Sequence, residues 1–389
     1  MSDPIHKCLS MGGAGVLRQD DHPQDYRLWG NREYLRDDSA THWVKLWVSW
    51  YELQESFKPS SQTSSWKQLN SAPNGQNYMR RLDRQVKAAN EDNAGVIICL
   101  QQAFPTWSSG ATGIDPNSTK AASQKIPNDL SPNGPWAWFI SYLSARYNGS
   151  YNSSGPRDPN RKDSRSFGNP ERALAQAIEV SNEPNTLYWP QENIHKRAAE
   201  MIRTGEELSF RWGRQTILGP ATLDSPDPVS TRPLVSTDWK TFTEGVLAEL
   251  ADFRPRIMVF WSMHNYRDLA REETGANSRA KQVIDLLYAN NWKGGGDRDL
   301  WLTEGGYNMG TKWTDPPTRD LQASRIAKNL EEMRLLPDVF LWTQHVINDV
   351  AGNSFRSGLR DDFIYSPAGP GPKRPSWDTW RQAPGAMTR

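Results

Sequence analysis

Short apolar runs alternate along the chain with longer stretches whose apolar residues recur at helical spacing. This pattern constrains the fold more than any other feature. The runs read WVKLWVSW (43–50), GVIICLQQ (95–102), QAIEVS (176–181), QTILGPA (215–221), IMVFWSM (257–263), DLWLTEG (299–305) and VFLWTQH (339–345). An eighth is expected near Met11 to Leu17, in MGGAGVL, where the patterning is weakest. Helical candidates lie at 136–147, 193–208, 277–290 and 320–333. Strands that alternate with helices form a parallel sheet, because each parallel pair needs a long crossover. Eight such units close into a (β/α)8 TIM barrel, and 389 residues accommodate one with long loops. The expectation is a single domain over residues 1–389.

Two segments break the rhythm. Residues 108–135, rich in Ser, Gly, Asn and Pro, follow the 95–102 strand and are expected to form a long loop on the carboxyl face, where barrel enzymes carry their sites. Residues 148–170 follow a helix and belong on the opposite face or the side.

Composition narrows the function. The 46 basic residues nearly cancel the 45 acidic ones, and no basic block is present to neutralise a phosphate backbone, so nucleic acid is not an expected partner. Cys8 and Cys99 are too few for a disulfide framework or a zinc cluster. No run reaches the ~18 apolar residues that suggest a membrane span, and MSDPIHK lacks the apolar core of an export signal. Location is left open between cytoplasm and secretion after removal of a signal. Eighteen tryptophans are an excess. Indole faces stack on the C–H faces of sugar rings, which points to carbohydrate, although cores also use Trp.

Two glutamates fall where barrel chemistry is done. Glu183 follows the fourth strand in IEVSNEPN, and Glu304 ends the seventh in WLTEGG. Both are expected at the same rim, and a facing pair of carboxylates is what glycosidic bond cleavage requires. Glu179, four residues before Glu183, is expected inside the barrel in a structural hydrogen bond.

Asn182-Glu183-Pro184 after a fourth strand and Thr303-Glu304-Gly305 after a seventh resemble the retaining glycoside hydrolases of clan A. The extended EVSNEPN is most like family 39 and its relatives, with family 5 next. The similarity continues through Trp43 to Trp50, Phe104-Pro105-Thr106-Trp107, Tyr142 with Arg146-Tyr147, Gly219-Pro220-Ala221, His264-Asn265-Tyr266 and Lys373 to Trp377. It implies Glu183 as general acid and base, Glu304 as nucleophile, and Asn182 on the sugar 2-hydroxyl. Tyr266 would donate to Glu304, His264 would bond the substrate or Glu304, and Trp342 would floor the subsite of the cleaved sugar. Trp107, Trp136, Trp138, Trp189 and Trp313 are candidates for outer subsites, and Gln101 and Gln102 for sugar contacts.

The chain departs from the resemblance at the end of the second strand, where clan members commonly carry arginine. Here Lys45 supplies charge without the planar fork. The six histidines are scattered at 6, 22, 42, 195, 264 and 345 with no HxH or HExxH motif. The implied activity is therefore a retaining β-glycoside hydrolase needing neither metal nor organic cofactor. A transglycosylase or a non-catalytic carbohydrate-binding barrel is the alternative.

Overall fold

The structure, a computed structural model, describes residues 5–11, 41–71, 73–101, 104–108, 127–149, 173–186, 189, 193–224, 237–292, 294, 300–312, 314–349, 355–362, 364–365, 368–369 and 371–385. Eight parallel strands close on themselves in sequence order. They are β1 (His6–Ser10), β2 (Trp43–Val48), β3 (Gly95–Leu100), β4 (Ala177–Glu179), β5 (Thr216–Leu223), β6 (Val259–His264), β7 (Leu300–Gly305) and β8 (Val339–His345). This is the (β/α)8 TIM barrel that the alternation implied. The described helices are α1 (Trp50–Gln54), α2 (Gln62–Ser71), α3 (Pro73–Glu91), α4 (Pro135–Arg146), α5 (Ile194–Trp212), α6 (Trp239–Glu249), α7 (Tyr266–Arg271), α8 (Arg279–Ala289), α9 (Pro316–Arg334) and α10 (Pro375–Gln382). None is long and apolar enough to cross a membrane.

The first strand is not where the sequence placed it. β1 is HKCLS; Met11 lies just beyond it, and residues 12–17 fall outside the described residues. A buried charge disguised the strand. Lys7 is turned away from the barrel axis, and its ammonium donates to the carbonyls of Trp380 and Ala383. It lies 4.9 Å from the centre of the Trp380 ring. Burial pushes its pKa down to about 7.

Period-two alternation divides the barrel interior into layers. Cys8, Trp43, Ile97, Ala177, Leu218, Phe260, Trp301 and Leu341 pack into an apolar floor. Two residues further along, Ser10, Lys45, Cys99, Glu179, Ser262, Thr303 and Thr343 form a buried polar layer. The floor keeps water out from below, and the polar layer opens toward the carboxyl ends of the strands. Strict alternation after Trp301 and Thr303 would turn Glu304 away from the axis. The register of β7 shifts against both neighbours near its end, pairing Glu304 with His264, and so re-aims the side chain.

Outside the barrel, α3 and α4 are clamped by a buried ion pair. Arg146 donates to both carboxylate oxygens of Asp83, at 2.8 and 2.6 Å, and Tyr147 donates its hydroxyl to the same group at 2.8 Å. The Arg146-Tyr147 motif is thus scaffold. Asp83→Ala should cost about 3–5 kcal/mol by leaving a buried guanidinium without its partner, read as a lower denaturant midpoint with an unchanged m-value.

Candidate active site

Glu183 sits in the turn after β4 with φ at +49°, in the left-handed region. Such a backbone costs a non-glycine residue about 1–2 kcal/mol and persists only where neighbours fix it. Here they do. The Glu183 carbonyl accepts from the Thr186 amide at 3.1 Å and hydroxyl at 2.8 Å, and the Glu183 amide donates to Ala221 at 3.0 Å. The buried Asn185 side chain accepts from the Leu223 amide at 3.0 Å and donates to the Leu223 carbonyl at 2.9 Å, stitching the turn to β5. Sequence reasoning gave Asn185 no role, although it ends the quoted motif EVSNEPN. The Glu183 side chain is half-buried, and its Oε1 lies 2.8 Å from Nδ1 of His264.

Glu304 is more enclosed and more heavily partnered. Tyr266 donates its phenol to Oε1 at 2.6 Å, and the Lys45 ammonium lies 3.5 Å from Oε2. Nε2 of His264 lies 3.9 Å from Oε2, and Nδ1 of His345 lies 3.6 Å from Oε1. Burial pushes the Glu304 carboxyl up. The His345 and His264 rings when charged, the Lys45 ammonium and the Tyr266 hydrogen bond outweigh it, bringing the pKa to about 2. Burial also lowers the pKa of His345, so near neutral pH its ring is uncharged and adds no such charge to Glu304. The same burial, reinforced by Glu304, raises the Tyr266 phenol well above its ordinary value, keeping it a donor.

Lys45 is fully buried and closer to Glu179, at 2.8 Å, than to Glu304. Burial opposes its charge, and Cys99, Glu179 and Glu304 around it outweigh that, raising its pKa above the ordinary lysine value. Cys99 stays a thiol, because burial lifts it well above the usual range, so the two carboxylates supply the holding charge. For Glu179 the burial penalty is likewise outweighed, chiefly by Lys45, and the carboxyl lies below its ordinary range. One oxygen from each of Glu183 and Glu304 and one nitrogen of His264 all lie within 4.8 Å of one another. That donor set could hold a metal ion, but the adjacent Lys45 ammonium opposes a second cation.

Sequence expectation and structure part company at Trp342. Its indole is fully buried, donates to Asn329 on α9 at 2.6 Å and packs against Trp380 on α10, with ring centres 5.3 Å apart. It faces outward into the helical layer and is a core residue, not a subsite floor. Leu341, Thr343 and His345 mark the inward positions of β8, and Trp342 falls between the first two. His345, overlooked as a site residue, ends the strand beside Glu304 and packs edge-on against Phe355, centres 5.7 Å apart.

Trp136 and Trp189 are buried as well. Trp189 donates to the carbonyl of Asn182 at 2.8 Å and thereby fixes the residue preceding Glu183. Asn182 is buried with its Oδ1 3.9 Å from the Cys99 thiol. Trp107, on the turn after β3, donates to Gln54 at 2.7 Å and meets Trp50 edge-on at 5.5 Å. Trp138 is half-buried on α4. Gln102, Trp313 and residues 109–126 of the long loop lie outside the described residues.

No family model matches the chain, and no curated protein matches it by sequence. Solved structures do match. A hyperthermophilic β-glucosidase from Pyrococcus furiosus aligns at TM-score 0.55 and 13% identity, over 95% of this chain and 87% of that one. Xylanase 10B from Thermotoga petrophila, solved with xylobiose, aligns at 0.53 and 10%, over 98% and 94%. GH5_18 from Streptomyces cattleya, solved with GlcNAc, aligns at 0.51 and 13%, over 100% and 83%. The likeness is one of fold.

Two outcomes test this geometry. Glu304's lowered pKa contributes stability that is full above the unfolded glutamate value, about 4.3, and is lost as pH falls through its folded pKa of about 2. Tyr266→Phe removes a charge-assisted hydrogen bond of about 1.5–3 kcal/mol. It should therefore destabilise the protein at pH 6 and progressively less toward pH 2.5 in paired thermal melts. Trp342→Ala should cost about 3–5 kcal/mol as a core truncation. A sugar-subsite role would instead appear as a raised KM with little change in melting temperature.

Proposed function

We propose that the protein is a retaining β-glycoside hydrolase that works by double displacement, with water as the final acceptor. The observation that carries this reading is the pairing of unlike carboxyl groups. Glu304 is held ionised by Tyr266 and Lys45, and an oxygen of Glu183 lies within 4.8 Å of one of its own. Retaining enzymes place the two groups about 5–5.5 Å apart, whereas inverting ones leave about 6.5–9.5 Å for a water. Oxygens that approach within 4.8 Å fit the closer, retaining spacing, in keeping with direct attack on the anomeric carbon by Glu304.

In the first step Glu183 protonates the glycosidic oxygen while Glu304 forms an ester to the sugar. In the second Glu183 takes a proton from water, which displaces Glu304. Asn182 is assigned to the sugar 2-hydroxyl and Tyr266 to orienting the nucleophile. Proteins sharing this fold include a β-glucosidase and a xylanase, which is consistent with a β-linked oligo- or polysaccharide as substrate. Within clan A, the EVSNEPN motif favours family 39 over family 5.

A panel of aryl β-glycosides and polysaccharides, with product anomers followed by NMR, tests the reaction; an inverted first product sinks the mechanism. Glu183→Ala should slow substrates with poor leaving groups far more than dinitrophenyl glycosides, and azide should restore turnover with a β-glycosyl azide product. With Glu304→Ala, azide attacks from the opposite face and should yield the α-azide. Identical azide anomers from both variants would show the roles to be misassigned.

A further inference from the structure

A second cluster of charge stands on the carboxyl face, apart from the pair of glutamates. The chain leaves β6 there, forms α7, turns through residues 272–278 and starts back down in α8. Where these pieces meet they enclose a cleft of about 430 Å³, within the size range of small-molecule sites. Arg267, Arg271 and Arg279 share its walls with Glu272 and Glu273, and the charges do not cancel. Glu273 is engaged by Arg267, whose Nε and Nη2 lie 3.0 and 2.9 Å from Oε1. Glu272 turns to α9, where it meets the Lys328 ammonium at 2.9 Å and Arg325 at 3.5 Å. Arg271 is exposed and has no acidic partner among the described residues. Arg279 lies over the Trp239 ring, 4.7 Å from its centre, and donates from Nη1 to Gln282 at 2.6 Å, while its Nε is buried without a hydrogen-bond partner. The buried carboxyls behind the cleft are turned to backbone. Asp268 accepts from the Arg279 and Ala280 amides at 2.7 and 3.2 Å, and Asp224 from the Arg267 amide at 2.9 Å. Burial, with Asp268 beside it, raises the Asp224 carboxyl well above its ordinary range, and burial raises Asp268 to about 7. Arg271 and Arg279 are therefore left with surplus positive charge.

We infer that this cleft is an outer subsite for a sugar acid, whose carboxylate is taken by Arg271 and Arg279. The inference rests on the glycosidase reading and narrows its substrate class to a β-glycan that carries uronate units. A planar guanidinium fork matches a carboxylate, and a ligand of that charge supplies the counter-ion that the walls lack. The cleft is larger than an inorganic anion needs, and Thr274 and Asn277 in the same walls offer a hydroxyl and an amide to ring hydroxyls. Its position suits a chain that also reaches the glutamates. Tyr266, which donates to Glu304, is the first residue of α7, and Arg271 is the last, about 7.5 Å further along the helix axis. A neutral glucan would leave both guanidinium groups unmatched, so the cleft would add little to its binding.

Binding is measured by NMR titration with the methyl α-glycosides of glucuronate and galacturonate, whose α-linkage the proposed hydrolase leaves intact. Methyl α-glucoside and inorganic sulfate are the comparisons. At low ionic strength at least one uronoside should bind about tenfold tighter than the neutral glucoside, and tighter than sulfate. Arg271→Ala should remove about that factor, and Arg271→Lys, which keeps the charge without the fork, should restore only part of it. Arg279→Gln should show the same loss, with its melting temperature read alongside because Arg279 packs on Trp239. Three results overturn the inference: uronosides that bind no tighter than the glucoside, uronoside binding undiminished in Arg271→Ala, and sulfate that matches the uronosides. These titrations need no turnover, so a negative result leaves the glycosidase reading standing, whereas failure of the glycoside panel with binding intact removes that reading alone. On a uronate-bearing polysaccharide that the panel identifies as cleaved, Arg271→Ala should raise KM about tenfold. An unmoved KM overturns the substrate class.

Discussion

The candidate site depends on one buried cation. Lys45 stands inside the barrel between Glu179 and Glu304, and its charge offsets the hydration that the two carboxylates lose on burial. Removing a charge from water costs several kcal/mol, which a partner must offset. The partnership is unequal, with Glu179 at 2.8 Å and Glu304 at 3.5 Å. Glu179 takes most of the charge as a structural counterion. Glu304 receives enough to stay ionised, as the proposed nucleophile must.

Everything around that cluster keeps it in place. The apolar floor of Trp43, Phe260, Trp301 and their neighbours closes the barrel from beneath, so the polar layer faces only the carboxyl side. The ring of Trp47 lies under the ammonium at 4.5 Å and adds a cation–π contact. Two strands further round the barrel, the strained turn at Glu183 is held by Thr186 and by Asn185 bound to β5. The Glu183 carboxyl thus occupies a fixed position although it belongs to a loop.

The barrel was legible because its signal is repeated. Seven strands fell within the quoted runs or at most two residues beyond their ends, and the motif pair Asn182-Glu183 and Thr303-Glu304 lay at strand ends where the fold converges. β1 escaped because Lys7 breaks its apolar character, and that lysine makes sense only once the carbonyls at the end of α10 are seen beside it. Trp342 was misread for a related reason. An indole at the end of an eighth strand suggests sugar stacking, but which face it occupies is set by strand parity and by Asn329 and Trp380 waiting in the helical layer.

What the sequence determined by itself is the periodic alternation that makes a barrel and the residue types available at its rim, since both are local properties of the chain. Which side chains meet was decided only by tertiary structure. The end of β7 shifts in register and turns Glu304 inward against the alternation. β6 brings His264 between two glutamates far apart in sequence, and β8 delivers His345 rather than Trp342 to their side. Those contacts depend on register and on closure of the sheet, which are long-range quantities that no local pattern encodes.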